Sequence, residues 1–166
     1  MDKMEKVTGI SERDDRLIRF KTGKTVLVYG YWEEEVDGGL VGCSWKHIWY
    51  TSPSSAEIME AITDAVNRRT DSKILTGYKW NNQSVYLSSE NQFNFKAAYD
   101  MAVQTNGSIL PVTFKLGEDS NGSPVYYTFE DMATFSEFYM GAIAFIQQTL
   151  ADGWAEKDAA RVKFNL

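Results

Sequence analysis

The sequence predicts an α+β fold: an N-terminal antiparallel β meander, one helix, then hairpin–helix–hairpin–helix forming a four-stranded antiparallel sheet with helices on one face. Three observations lead there. Aromatic and β-branched runs such as TVLVYGYW (25–32) and LVGCSWKHIWY (40–50) are bounded by turn residues. Ser54 with Glu57, and Ser89 with Gln92, form Ser-x-x-Glu/Gln capping boxes ahead of segments with helical apolar spacing. Residues that tolerate positive φ stand between paired strand-like runs.

The elements follow in order. RLIRF (16–20) reads as a short strand after a polar lead-in, and TVLVYGYW as a stronger one. Asp37-Gly38-Gly39 turns the chain back into LVGCSWKHIWY, so residues 16–50 form a meander. From Ser54 a helix carries Ile58, Ile62, Ala65 and Val66 on one face and is expected to end near Thr70. KILTGYKW and QSVYLS flank Asn81-Asn82, a two-residue hairpin tip. Ser89 opens a second helix with a Phe93, Ala97, Met101 stripe and a stop at Asn106-Gly107. ILPVTFKL and PVYYTF enclose a polar turn. A third helix from Glu130 or Asp131 then aligns Phe135, Tyr139, Ala142, Ile146 and Leu150, with an end expected at Gly153. Residues 1–50 are thus expected to form an N-terminal β arm for attachment, and residues 51–166 the α+β domain.

A chain of 166 residues is long enough to bury a real core, and its 14% aromatic content points to aromatic strands within it. The net charge of −6 and the lack of a basic cluster argue against nucleic acid as a partner, since binding it requires cations against phosphates. One cysteine makes no internal disulfide and no cysteine metal cluster. The charged N-terminus has no apolar signal core and no run approaches a membrane span, so no membrane association is expected.

Motifs for chemistry fail on context. Gly23-Lys24-Thr25 resembles the end of a phosphate loop, but Ile18 stands where the first glycine belongs and a strand follows instead of a helix. Cys43 and His47 alternate onto one strand face about 13 Å apart, at about 3.3 Å per residue, too far for a thiolate–imidazole pair. A lone cysteine is more often a small buried hydrophobe. EDSNGS (118–123) lacks the alternating ligands and distal glutamate of a calcium loop. Glu33-Glu34-Glu35 beside a Gly-Gly turn reads as a solvated run. No catalytic residue, metal ligand or cofactor is assigned.

The aromatic set Tyr29, Tyr31, Trp32, Trp45, Trp49 and Tyr50 places large residues on both alternating faces. A small meander has one inner face, so the other calls for a helix, another subunit or a ligand. Interface burial and simple core weigh alike, with sugar stacking a distant third. Trp32, Trp45, Trp49 and Tyr50 are the candidate interface residues, with Cys43 and His47 as passengers.

The segment from KILTGYKW through SVYLSSENQFNF to ILPVTFKLG, with PVYYTF and FIQQTLADGWAEKDA, resembles an uncharacterised family of Bacteroidetes phage and prophage proteins. The shared pattern falls at Gly77 to Asn81, Val85 to Asn94, Leu110-Pro111 and Gly153 to Ala159. It covers about half the chain and leaves out residues 1–50. The family is a domain of unknown function associated with tail and tail-fibre genes. The resemblance implies a virion structural protein, expressed in the bacterial host cytoplasm and acting as a tail- or tail-fibre adaptor. Its partners would be other phage structural proteins, in a homo-oligomer or larger assembly. A non-virion tail-fibre assembly chaperone is the alternative, and a small phage-encoded enzyme the remote one.

Overall fold

The computed structural model describes residues 4–11 and 13–166, and the fold is α+β with three helices. The chain divides into two compact units. One comprises the residues up to Arg69 with Gly153–Leu166, and the other Thr70–Asp152.

The first unit is built on a four-stranded antiparallel sheet of β1 (Glu5–Thr8), β2 (Arg16–Arg19), β3 (Thr25–Val36) and β4 (Gly39–Trp49), in the order β1-β4-β3-β2. Asp37 and Gly38 both take positive φ, 51° and 77°, which matches the tight β3–β4 turn to the twist of its strands. The ladder breaks once between Tyr29 and Trp32, where Gly30 takes φ 68°. That irregularity keeps Tyr29 on one face while Tyr31 and Glu33 go to the other.

Helix α1 (Ser55–Thr76) begins at the expected capping box: Glu57 N–H donates to Ser54 Oγ at 3.2 Å, and Ser54 N–H donates to the Glu57 carboxylate at 2.8 Å. The Ser54 N–H and the Ser54 hydroxyl, which both donate to that carboxylate at 2.8 Å, hold the Glu57 carboxyl below its ordinary range. Ile58, Ala61, Ile62, Ala65 and Val66 bury against Met4, Leu27, Tyr29 and Ala160 in one core. Ala160 lies near the end of the long helix α3 (Met132–Phe164), whose Phe164 also packs there.

The second unit holds β5 (Lys79–Trp80), β6 (Gln83–Ser84), α2 (Ser89–Gln104), β7 (Val112–Glu118) and β8 (Pro124–Phe129). Asn81 and Asn82 both take positive φ at the β5–β6 tip, as expected. The core is aromatic: Phe129, Phe135 and Phe138 are fully buried, with Trp80, Phe95 and Tyr78 beside them. Phe138 alone meets the rings of Tyr78, Trp80, Phe95 and Phe129, edge-on or tilted, at 4.8 to 6.1 Å.

Several expectations are corrected. The two later hairpins are separate two-stranded ladders, β5-β6 and β7-β8, and the four-stranded sheet is the N-terminal one. The hairpins are linked by a backbone bond from Tyr86 N–H to Leu116 C=O at 2.7 Å, where β5 and β6 are too short to extend a ladder. Helix α1 runs on to Thr76, because nothing breaks it before Gly77 and Ile74 packs on the aromatic core. Helix α3 passes through Gly153 to Phe164, and Trp154 is exposed. One glycine costs a helix only about 1 kcal/mol, which packing of the far segment offsets.

The cap of α2 is Ser88, one residue before the expected Ser89, with its Oγ accepting from Asn91 N–H at 3.2 Å. Its inward stripe is Phe95, Ala98, Tyr99 and Ala102, while Phe93 and Met101 are exposed. Finally, β1 lies in the polar lead-in, and the compact units do not divide at residue 50.

Phe138→Ala opens a cavity among four rings and is expected to cost about 3–5 kcal/mol. Urea unfolding followed by tryptophan fluorescence measures it; a loss below about 1 kcal/mol would contradict the central place given to this side chain.

Candidate functional site

Alternation sorts the N-terminal sheet into two faces. Leu27 pairs with Leu17 and His47, and Tyr29 with Trp45, so these residues share one face. That face is covered by α1 and the end of α3. Val26 pairs with Ile18 and Ile48, and Val28 with Arg16 and Lys46, on the other face.

Trp32, Trp45 and Trp49 lie on the covered face, half-buried, and Trp45 and Trp49 pack against the chain's own core. The Trp32 and Trp45 rings are 5.3 Å apart, and the Arg68 guanidinium stacks 5.4 Å from Trp45. Trp32 Nε1–H donates to Glu34 at 2.8 Å, and Lys6 pairs with the same carboxylate. Together the Lys6 ammonium and the indole N–H hold the Glu34 carboxyl below its ordinary range. Tyr50, fourth of the expected set, is separated from the tryptophans: it is 79% exposed, its ring 5.9 Å from Lys24.

Cys43 is fully buried, its thiol directed at Val41 C=O at 3.6 Å. His47 is 7% exposed and packs 4.2 Å from the Trp49 ring. Among the described residues no hydrogen bond joins the two. The remaining sequence motifs are also accounted for locally. Gly23-Lys24 forms a turn in which Phe20 N–H donates to Lys24 C=O at 2.8 Å. Asp119 Oδ1 accepts from Asn121 and Ser123 N–H at 2.8 and 2.9 Å, capping the 118–123 turn. Glu33 pairs with Arg13. Among the described residues no group of three His, Cys, Asp or Glu is placed to hold a metal ion, and no helix is long and apolar enough to cross a membrane.

The most developed polar network is one the sequence did not announce. Tyr29 OH donates to Glu156 at 2.9 Å, and Arg69 pairs with the same carboxylate. Next to it, Asp15 accepts from Gly30 N–H at 2.7 Å and from Lys163 at 3.2 Å. Burial pushes the Tyr29 hydroxyl up to about 12, the Asp15 charge adds to the rise and Arg69 opposes it.

Each unit also has concave surface. In the second unit a cleft of about 450 Å³ is lined by Thr76, Ser84, Tyr86, Asn91, Lys115 and Glu118 among others. Its polar groups are engaged with one another: Lys115 pairs with Glu118 at 2.9 Å, and Asn91 Nδ2 donates to Tyr86 C=O at 2.8 Å. In the first unit an open groove of about 350 Å³ runs over the uncovered sheet face. It is lined by Val7, Ile18, Phe20, Val28 and Ile48 with Lys24 and Lys46. This groove is the candidate site: an apolar sheet surface with a cationic margin. Its apolar residues are mostly ordinary aliphatic ones that form no motif in the sequence. The alternation of RLIRF and TVLVY already carried a second apolar set.

No protein-family model, curated protein or solved structure matches the chain.

Two outcomes are expected of this geometry. Trp45→Ala should lower stability by about 1–3 kcal/mol in urea unfolding, whereas Tyr50→Ala should stay within about 0.5 kcal/mol. Equal effects would contradict the packing of Trp45 against the core and the exposure of Tyr50.

The second concerns alkaline pH. An unfolded tyrosine ionises near 10, while folded Tyr29 keeps its proton to about 12. Between those values the unfolded state has lost the proton and the native state has not. The Tyr29 contribution is therefore complete below about pH 10 and declines as pH rises towards 12. Tyr29→Phe should flatten that part of the stability profile; an unchanged slope would refute the contribution.

Proposed function

We propose that this chain is a structural protein of a tailed-phage particle, a tail- or tail-fibre-associated adaptor that works through protein–protein contacts. The observation that carries the contact reading is the uncovered apolar face of the N-terminal sheet. Ile18 and Phe20 are exposed there, and Val28 and Ile48 are only half-buried. Apolar surface gathered on one sheet face, with charge at its margin, is the chemistry of an interface patch.

The phage context is supported by the resemblance of the stretch from Gly77 to Ala159. In that stretch Ser88 caps α2, Asn91 and Gln92 donate to the carbonyls of Tyr86 and Leu87, and Val85 and Leu87 are buried. The shared string SENQFN therefore serves a strand-to-helix corner, a structural use that requires no substrate.

Mass spectrometry of purified particles tests the reading. The chain is expected at a fixed ratio to the tail proteins. Its presence in infected cells but absence from purified particles would overturn the structural role in favour of an assembly chaperone that dissociates.

A further inference from the structure

We propose that the chain assembles head to tail, the β3–β4 hairpin tip of one copy seating on the open sheet groove of the next. The inference rests on the reading of the chain as an assembly protein and names the partner of its open face.

The groove is apolar with cations. Lys24 lies near one end, 5.9 Å from the rings of both Phe20 and Tyr50, and Lys46 lies beside Val28. No carboxylate lines it among the described residues, although Glu5 stands opposite Lys46 across the β1–β4 ladder.

The tip has the complementary chemistry. Residues 35–40 are all exposed, and within them Val36 and Leu40 leave 48% and 72% of their surface to solvent. Glu35 and Asp37 flank these apolar side chains. Glu33 and Glu34, further down the strand, are already paired with Arg13 and Lys6. Two large apolar side chains at the end of a hairpin, set between carboxylates, match an apolar groove edged by lysines in both respects.

Reach excludes one simpler arrangement, and charge opposes the other. Val28 and Val36 lie eight residues apart on one strand, about 26 Å at about 3.3 Å per residue, so a copy cannot fill its own groove. A symmetric groove-to-groove dimer would bring lysine against lysine. The contact is therefore between unlike surfaces, which builds a ring if the rotation closes and a filament if it does not.

Light scattering on the full chain over a dilution series tests this. The mass is expected to rise above that of one copy with concentration, and to fall back at high salt as the charges are screened. Glu35→Lys with Asp37→Asn at the tip, or Lys24→Glu with Lys46→Glu in the groove, should each abolish the rise. All four changes in one chain should restore it. Leu40→Asp and Ile18→Asp, at exposed positions, provide a second tip variant and a second groove variant. Each alone should stay single, and mixed they should form pairs and nothing larger, since one retains a groove and the other a tip.

A wild-type chain that stays single at every concentration overturns the proposal. Self-association that survives the tip variants does so too, and points to a symmetric contact. A chain found in particles yet single in solution sinks this inference and leaves the structural role standing.

Discussion

A β-sheet has two faces, and the N-terminal unit has helices for one of them. Leu27, Tyr29 and their cross-strand partners meet Ile58, Ile62 and Ala65 of α1, and the end of α3 returns to complete that cover. The Glu156 carboxylate fixes the return. It sits on α3, accepts from the Tyr29 hydroxyl of the sheet and pairs with Arg69 of α1, so one side chain ties three elements of the unit. The reach along the chain is long: 127 residues separate Tyr29 from Glu156. Tyr29, by contrast with the half-exposed ion pairs of the chain, is 3% exposed, so its hydroxyl reaches Glu156 from the core side.

That arrangement decides which aromatic residues are available for contacts. The tryptophans of β4 point towards α1 and are held in the chain's own core, with Arg68 stacked on Trp45. Availability passes to less conspicuous residues: Ile18, Phe20, Val28 and Ile48 on the opposite face. Tryptophan content was therefore a poor guide to the surface, and strand parity a better one. The same parity accounts for Cys43 and His47. Both point into the covered side, where Cys43 packs as a small apolar group and His47 stacks on Trp49.

Much of the fold was legible because local chemistry announces it. Asp37-Gly38 and Asn81-Asn82 adopt the positive φ that their turns require, and Ser54 with Glu57 caps α1 as the spacing says. What escaped was decided at a distance. Residues 73–76 carry strand-like Ile and Leu but stay helical, since Ile74 finds the aromatic core from a helix. Gly153 reads as a stop, yet α3 continues because Ala160 and Phe164 have a second core to fill. On α2 two stripes fit the helical period. Phe93 and Met101 lost to Phe95 and Ala102 because Phe95 meets Phe114 and Phe138 at about 5 Å, edge to face. The hairpins of the second unit showed their turns, but not that β5 and β6 are two residues each and stay a ladder apart from β7 and β8.

The candidate site was only half legible, and the reason lies in the kind of site it is. Catalysis and metal binding require particular residue types at particular spacings, so their motifs can be tested position by position. Here Ile18, the Cys43–His47 spacing and the Asp119 turn each settled such a test. A docking surface is built from ordinary valine, isoleucine and lysine, whose meaning depends on what the rest of the fold leaves uncovered. Val26 and Leu27 are adjacent and chemically alike, yet one faces the groove and the other the core. Nothing in either residue separates them; the separation arises when α1 and α3 take one face. The open face of this sheet is therefore the remainder after packing, and it becomes readable once the core has been assigned.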